Sequence, residues 1–393
     1  MDLLIGTDAD LPLLVAELHR AVPSLRLERL PGSYPIPDPA PSAPDTPPAA
    51  RPRRLSSAPP PPASPHLSIL RLEGLPAPHQ PLPLLVFARQ WLPDACPHSA
   101  ASIRDWSDLL FEAVSQRLHD NPPWRLHLVP RYGDSPAAGH QRCRLIRQAL
   151  VDRLQRHRRH LLRRLTQSTA PFTPDDALVQ LLLTSPGDGY LSVAPPPIPA
   201  VQRARLSPFP LGDVPVASDK SAPCRAFAKL LEAEARLGHA IQPGDRCVDL
   251  GASPGSWSHV ALTRGAHVTA IDRSPLRPDL MRHPRLAFRT GDAFAFTPDR
   301  PVDWLLCDVI APPERTLDLL RQWLDRGACR NFIVTLKFKG TAGYPALDRV
   351  KSWLPPLADP FVLTRLCANR NEVCAAGVRP DPAGTPNLPR PPR

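Results

Sequence analysis

DLGASPGSW, residues Asp249 to Trp257, follows the strand-like RCV and decides the fold of the C-terminal half. Gly251 and Gly255 let the backbone turn tightly and approach a ligand, and Pro254 suits the opening turn of a following helix. A plain strand-to-helix turn would need neither this glycine spacing nor the acids that come after it. Asp272 closes HVTAID, Asp292 follows LAFRTG, and Asp308 closes VDWLLCD. Open α/β sheets bind ligands at the carboxyl ends of their strands, and an acid ending the second strand accepts hydrogen bonds from ribose hydroxyls. With NFIVTLKF, FVLTRLCA and EVCAAGV, these runs make seven apolar strand candidates from about residue 205 onward, most of them separated by helical spans. That alternation predicts a largely parallel sheet buried on both faces.

The ligand implied is a nucleotide-type molecule. A dinucleotide dehydrogenase would share the acid at Asp272, but its fingerprint is GxGxxG, and the glycines here stand as GxxxG. The loop therefore favours S-adenosyl-L-methionine over NAD. That cofactor has no phosphate to cradle, and an acid such as Asp308 can lie near its positive sulfonium and amino groups. The expected cofactor contacts are Gly251, Ser253, Pro254, Gly255, Ser256, Trp257, Asp272, Asp292 and Asp308, with a core position as the plain alternative for Trp257.

Outward from this centre the chain reads as several units. At 393 residues it is long enough for two domains. Residues 1–34 alternate strand, amphipathic helix and strand. Residues 35–65 hold 13 prolines and form a linker or insert, for which a plain spacer is the simplest account. Residues 66–200 return to α+β character. Within them, residues 140–165 keep a helical stripe of Ile146, Leu150, Leu154, Leu161 and Leu165, with nine arginines and one acid, Asp152, at other positions. Such a face is a solvated surface or a phosphate-binding one. Residues 205–378 form the loop-bearing domain, and 379–393 a disordered tail.

The net charge of +11 suits a polyanionic partner such as RNA. Eight cysteines form no CxxC pair or dense cluster, which argues against a zinc site or a disulfide framework and for a reduced, cytoplasmic protein. The acidic N-terminus MDLLIGTDAD lacks signal-peptide character, and no run approaches the ~20 apolar residues of a membrane span. No metal is expected, since no HExxH-like spacing occurs. Oligomeric state is not legible.

The motifs SAPCRAFAKLLEA, DLGASPGSW, AIDRSP, GDAF, LLCD, TLKFK and NRNEV, in this order over residues 205–377, resemble the FtsJ-like ribose 2′-O-methyltransferases, and among them the two-part RlmM-type enzymes of large-subunit rRNA. The resemblance implies a Rossmann-like SAM-dependent methyltransferase fold, preceded by a THUMP-like α+β RNA-binding region. It also implies a catalytic tetrad, carried here by Lys229, Asp308, Lys337 and Glu372. Two positions depart from the family pattern: PGSW stands for PGGW, and Cys224 stands where a serine is common.

The tetrad explains an oddity of composition. Only five residues are lysine against 43 arginines, yet TLKFK holds two of the five. A ribose hydroxyl must lose its proton as it attacks, and lysine can accept one when burial or a nearby cation lowers its pKa, whereas arginine cannot. Lys337 is thus the expected base, with Lys339 the alternative two residues on. Lys229 would be the neighbouring cation that lowers the Lys337 pKa, and Glu372 the group holding both ammonium groups. A catalytically inert RNA-binding relative is the alternative reading of the whole chain. Base-amino methylation fits less well, because CDVIAPPER carries no NPPY-like loop.

Overall fold

The computed structural model describes residues 1–30, 67–74, 84–132, 139–203, 205–341, 343–368 and 371–380. The proline-rich segment 35–65 and nearly all of the expected tail lie outside the described residues. Two compact units emerge, one of residues 1–79, 88–167 and 173–202, the other of 80–87, 168–172 and 203–393.

The first unit contains two four-stranded sheets. One has the order β2-β3-β1-β4, from β1 (Asp2–Thr7), β2 (Arg26–Leu30), β3 (Leu67–Glu73) and β4 (Gln90–Leu92), and is antiparallel throughout, with α1 (Leu11–Ala21) between β1 and β2. The other has the order β5-β8-β7-β6, from β5 (Cys96–Ser99), β6 (Trp124–Pro130), β7 (Ala177–Leu183) and β8 (Asp188–Ala194), with only β6 and β7 parallel. Helix α2 (Ile103–Arg117) starts in a capping box, Ser102 and Asp105 bonding each other's backbone N–H. Its Trp106, Leu110 and Val114 share a core with Cys143, Ile146, Leu150 and Leu154 of α3 (His140–His157) and with Trp124 and Val179 of the sheet. The expected single stripe over 140–165 is broken at Arg158. A short α4 (Arg159–Arg164) follows, and Leu165 pairs instead with Trp124 as an isolated bridge.

The second unit is built on a seven-stranded sheet of order β11-β10-β9-β12-β13-β15-β14, comprising β9 (Arg246–Leu250), β10 (His267–Asp272), β11 (Leu286–Thr290), β12 (Val302–Cys307), β13 (Cys329–Lys337), β14 (Phe361–Thr364) and β15 (Glu372–Val378). All seven runs read from the sequence are strands. The first five are parallel, and β15 runs antiparallel between β13 and β14. The connections hold α7 (Ser256–Thr263), α8 (Pro278–Met281), α9 (Pro313–Asp325) and α10 (Pro345–Trp353), while α5 (Ala200–Arg203) and α6 (Phe227–Leu237) precede the sheet. Phe227, Leu230, Trp257 and Val260 from α6 and α7 pack with Cys247, Val268 and Trp304 of the strands. Expected burial fails most clearly at the edge strand β11, where Ala287, Arg289 and Thr290 are exposed. Among the described residues no helix is long and apolar enough to cross a membrane.

Candidate active site

Chain order reverses between β9 and β12, with β10 and β11 laid down on one side and β13 on the other. In open α/β sheets the carboxyl edge at such a reversal is a crevice for ligands. The two loops flanking it here are Gly251–Gly255 and Asp308–Pro312. Gly251 has φ +74, and a β-carbon on it would stand 2.7 Å from Val309 Cγ1 and 3.0 Å from its Cα, so the loops can touch only if residue 251 is glycine. Gly255, φ +107, lies as tightly against Leu280.

The glycine loop is tied down from several sides. Asp272 accepts the Ser253 N–H on one carboxylate oxygen and the Ser274 N–H on the other, each at 2.9 Å. Each oxygen retains a lone pair for a hydroxyl. Pro254 lies before the helix, which begins at Ser256 behind Gly255. Trp257 is buried, and its indole N–H donates to the Ala226 carbonyl at 2.8 Å, so its core alternative describes its surroundings. Ser256 is buried as well. Its hydroxyl accepts the Cys224 N–H at 3.0 Å, donates to the Cys224 carbonyl at 3.1 Å and stands 2.9 Å from Cys224 Sγ. The two departures from the family pattern are thus neighbours in space. Asp292 is held by the Phe294 N–H at 3.0 Å and by Arg315 and Arg273 at 3.4 and 3.6 Å. That backbone bond, with the arginines, keeps its carboxyl below the usual value.

The four tetrad positions converge at the same edge. Lys337 ends β13 and Glu372 opens β15, and the antiparallel register sets them directly opposite. Lys337 Nζ donates to the Asp308 carbonyl at 2.8 Å and lies 3.1 Å from Asp308 Oδ1. Lys229, from the first turn of α6, reaches Asp308 Oδ2 at 3.2 Å and Glu372 Oε2 at 2.5 Å. One carboxylate is therefore shared by two ammonium groups, one of which is shared in turn by a second carboxylate. Burial pulls the Lys229 pKa down, but the charge of Asp308 and the hydrogen bond and charge of Glu372 outweigh it and leave it raised. Lys229 is thus a fixed cation. Lys339 lies past the strand end and is exposed, with no ion pair among the described residues.

Three residues that the sequence did not single out support the site. Glu232, one turn along α6 from Lys229, accepts the Cys367 N–H at 2.8 Å and the Ala368 N–H at 3.3 Å while pairing with Arg236 at 2.8 Å. Asn371 donates to the Phe338 and Gly340 carbonyls at 3.0 and 2.9 Å, and its own carbonyl accepts the Phe338 N–H, which fixes the turn after Lys337. Its place in NRNEV beside Glu372 was the available signal. Asp249, inside the loop motif, is fully buried against the Ser258 hydroxyl at 2.7 Å, and burial pushes its carboxyl up to about 7.

In the first unit, Arg144, Arg156, Arg158, Arg159, Arg163 and Arg164 are exposed along α3 and α4, and none has a carboxylate partner among the described residues. Arg153 is engaged by Asp108 at 2.5 Å, and Arg147 by the Leu126 carbonyl at 3.2 Å.

Residues 222–358 match the FtsJ-like methyltransferase family model, and that match indicates S-adenosylmethionine as cofactor. Lys229, Asp308 and Lys337 fall inside the match, and Glu372 lies beyond it. The chain is 36% identical over 166 residues to a ribosomal RNA large subunit methyltransferase M of Thauera aminoaromatica, covering 41% of this chain and 44% of that protein. It is 35% identical over 190 residues to the protein of that name from Laribacter hongkongensis, covering 45% and 54%. The chain thus spans about half the length of the curated relatives it matches. Among solved structures, a 1,6-didemethyltoxoflavin N1-methyltransferase of Burkholderia thailandensis aligns at TM-score 0.31 and 16% identity, over 40% of this chain and 79% of that one.

Proposed function

We propose that the protein methylates a ribose 2′-hydroxyl of RNA, with large-subunit ribosomal RNA as substrate class and Lys337 as general base. The observation that carries this reading is the meeting of Lys229, Asp308, Lys337 and Glu372 at the sheet reversal, where the cofactor loop also lies. The names of the relatives support the substrate class.

Gly251, Ser253 and Asp272 would hold the cofactor at the reversal, with Asp292 near its far end. S-adenosylmethionine supplies an electrophilic methyl on a positive sulfonium. The chain's own part is to orient the hydroxyl and take its proton. Lys229, held between two carboxylates, stays charged and can donate a hydrogen bond to the ribose but not accept its proton. Lys337 is the more exposed of the two ammonium groups, with 20% of its side chain accessible against 12%, and its Nζ is anchored by a backbone carbonyl that stays in place when the proton moves. It is the group free to serve as base. Glu372 fixes Lys229 so that two cations can share the one carboxylate of Asp308. The exposed arginines of α3 and α4 supply phosphate contacts for the RNA, in a THUMP-like role.

The test is transfer of tritiated methyl from S-adenosylmethionine to unmethylated rRNA, followed by complete alkaline hydrolysis. Label in an alkali-resistant dinucleotide is the expected result, because alkali cleaves only through a free 2′-hydroxyl. Label confined to mononucleotides would place the methyl on a base, and absence of transfer would favour the inert RNA-binding relative.

A further inference from the structure

Between β9 and β14 every connection carries a helix except one. Residues 291–301 lead from β11 to β12 across two intervening strands with no helix, where a parallel crossover ordinarily supplies one. Val268, Ala270, Leu286 and Phe288 face the core on the α6–α7 side. The opposite face of β10 and β11, with Thr269 half-buried and Ala287 and Arg289 exposed, has this loop beside it among the described residues. Beneath the loop lies a cavity of about 580 Å³, lined in part by Arg246, Arg285, Arg289, Arg300, His267 and Phe296.

Arg246 is engaged by the Pro301 carbonyl at 2.8 Å and by Asp303 at 3.8 Å. The other three arginines have no carboxylate partner among the described residues, and Asp299 is the only acid in the lining. Arg289 carries its guanidinium 5.7 Å above the Phe296 ring. Guanidinium groups without carboxylates, set around an aromatic-walled hollow, match a ligand with a phosphate and a flat base, since arginine forks onto phosphate oxygens and aromatic rings stack on bases. Arg246, His267, Leu286 and Val302 open their strands, so most of the lining lies toward the amino edge of the sheet, while Arg289 stands opposite Ile271, one position from the carboxyl end of β11. Asp272, Asp308 and Lys337 stand at the other edge. The five rises of ~3.3 Å from His267 to Asp272 separate the two edges by roughly 17 Å. None of the crevice residues Gly251, Asp272, Asp308 and Lys337 lines the cavity.

We propose that this cavity binds a nucleotide of the RNA strand several residues away from the methylated one, with Arg285, Arg289 and Arg300 on its phosphates and its base against Phe296. The identity of the strand rests on the RNA-methylation reading above. The cavity thereby gives the methyltransferase domain an RNA contact of its own.

Fluorescence anisotropy of a labelled single-stranded oligoribonucleotide, titrated with the full chain over a salt series, tests this. Replacing Arg285, Arg289 and Arg300 together with alanine is expected to weaken binding about tenfold or more. It should also flatten log affinity against log salt by about 1.4, two flanking phosphates at ~0.7 each. Ala287→Trp, which fills the hollow from an exposed position and leaves the charge alone, is expected to weaken binding as well. In both variants KM for RNA should rise while kcat at saturating RNA and affinity for S-adenosylmethionine stay at wild-type values, the latter reporting an intact sheet. Wild-type RNA affinity in the arginine variant overturns the proposal. So does loss of affinity in that variant alone, which would mean charge acting at a distance. Displacement of the oligonucleotide by an equal concentration of free cytidine monophosphate would assign the cavity to a small metabolite and overturn it too. Binding with the expected dependences but no methyl transfer to RNA supports the cavity and sinks the proposed reaction. Normal transfer with unaffected variants does the reverse.

Discussion

At position 337, lysine and arginine would differ little as ion-pair partners of Asp308 and entirely as bases. Lys337→Arg keeps a cation at the end of β13 but cannot release a proton at working pH. Both Lys337→Arg and Lys337→Ala should lose roughly 10²- to 10⁴-fold in kcat, with S-adenosylmethionine affinity by calorimetry unchanged within a few-fold. Turnover in Lys337→Arg near wild type would remove the base from Lys337. Asp249 makes a different prediction. Its folded-state carboxyl titrates at about 7 because it is buried, against 3.8 when unfolded. A raised folded pKa means that the folded state holds the extra proton, so this contribution is fully present below about pH 4 and is lost as pH rises toward and through 7. Asp249→Asn should remove that loss. Urea midpoints of the two proteins should diverge from pH 4 to 7 in favour of the variant and run parallel above it. Cys224 and Ser256 make a third. A double-mutant cycle of Cys224→Ala and Ser256→Ala should show a coupling of about 0.5–1.5 kcal/mol in unfolding free energy, and additivity would mean the 2.9 Å contact does not stabilise the fold. Of these residues, Lys337 drew attention because lysine is scarce in this chain. The Cys224–Ser256 bond was not, since 32 residues separate its ends.

At the scale of elements, α6 positions two parts of the site from one helix. Lys229 and Glu232 are three residues apart and share a face. The first reaches Asp308 and Glu372, and the second pins the backbone at Cys367 and Ala368, just after β14. Glu232 is 1% exposed, so Glu232→Ala strands Arg236 and two backbone donors and should cost about 3 kcal/mol or more in unfolding free energy. Its effect on kcat should exceed that on cofactor affinity, because the loosened segment leads to Glu372. A change below about 1 kcal/mol would mean that the loop is held by other contacts. The strands of this unit were readable because buried parallel strands form continuous apolar runs with glycine or acid at their ends. Strand order was not, and neither was the antiparallel insertion of β15, because the pattern of EVCAAGV is the same in either direction. PLPLLVFARQWL shows how little an apolar run says by itself: only Gln90–Leu92 pairs as strand, the other described residues packing without a ladder. Arg158 interrupts the long basic helix with no glycine or proline to announce it.

For the whole molecule, a net charge of +11 carried almost wholly by arginine would make the proposed RNA affinity an ionic quantity. Replacing Arg156, Arg159 and Arg163 with alanine should lower affinity alike for RNAs of unrelated sequence. It should also reduce the salt slope by about 0.7 to 0.9 for each arginine that had held a phosphate, read by filter binding. An effect confined to one sequence would make this face a reader of bases rather than of backbone. The chain divides into two units, one rich in antiparallel pairing and one wound around a parallel sheet, and the sequence pattern changes near residue 205. Residues 80–87 and 168–172 nevertheless belong with the second unit, although they stand among the α+β segments that precede it in the chain. The register of Lys337 against Glu372 has a consequence for the making of the protein. Ribosomes emit residues in order, and of the seven strands of this sheet the one that carries Glu372 emerges last and yet takes an interior place, between β13 and β14. A nascent chain halted before residue 372 lacks the carboxylate that steadies Lys229 and leaves both neighbouring strands with unpaired edges. A fragment ending there would expose two strand edges, the feature that templates aggregation.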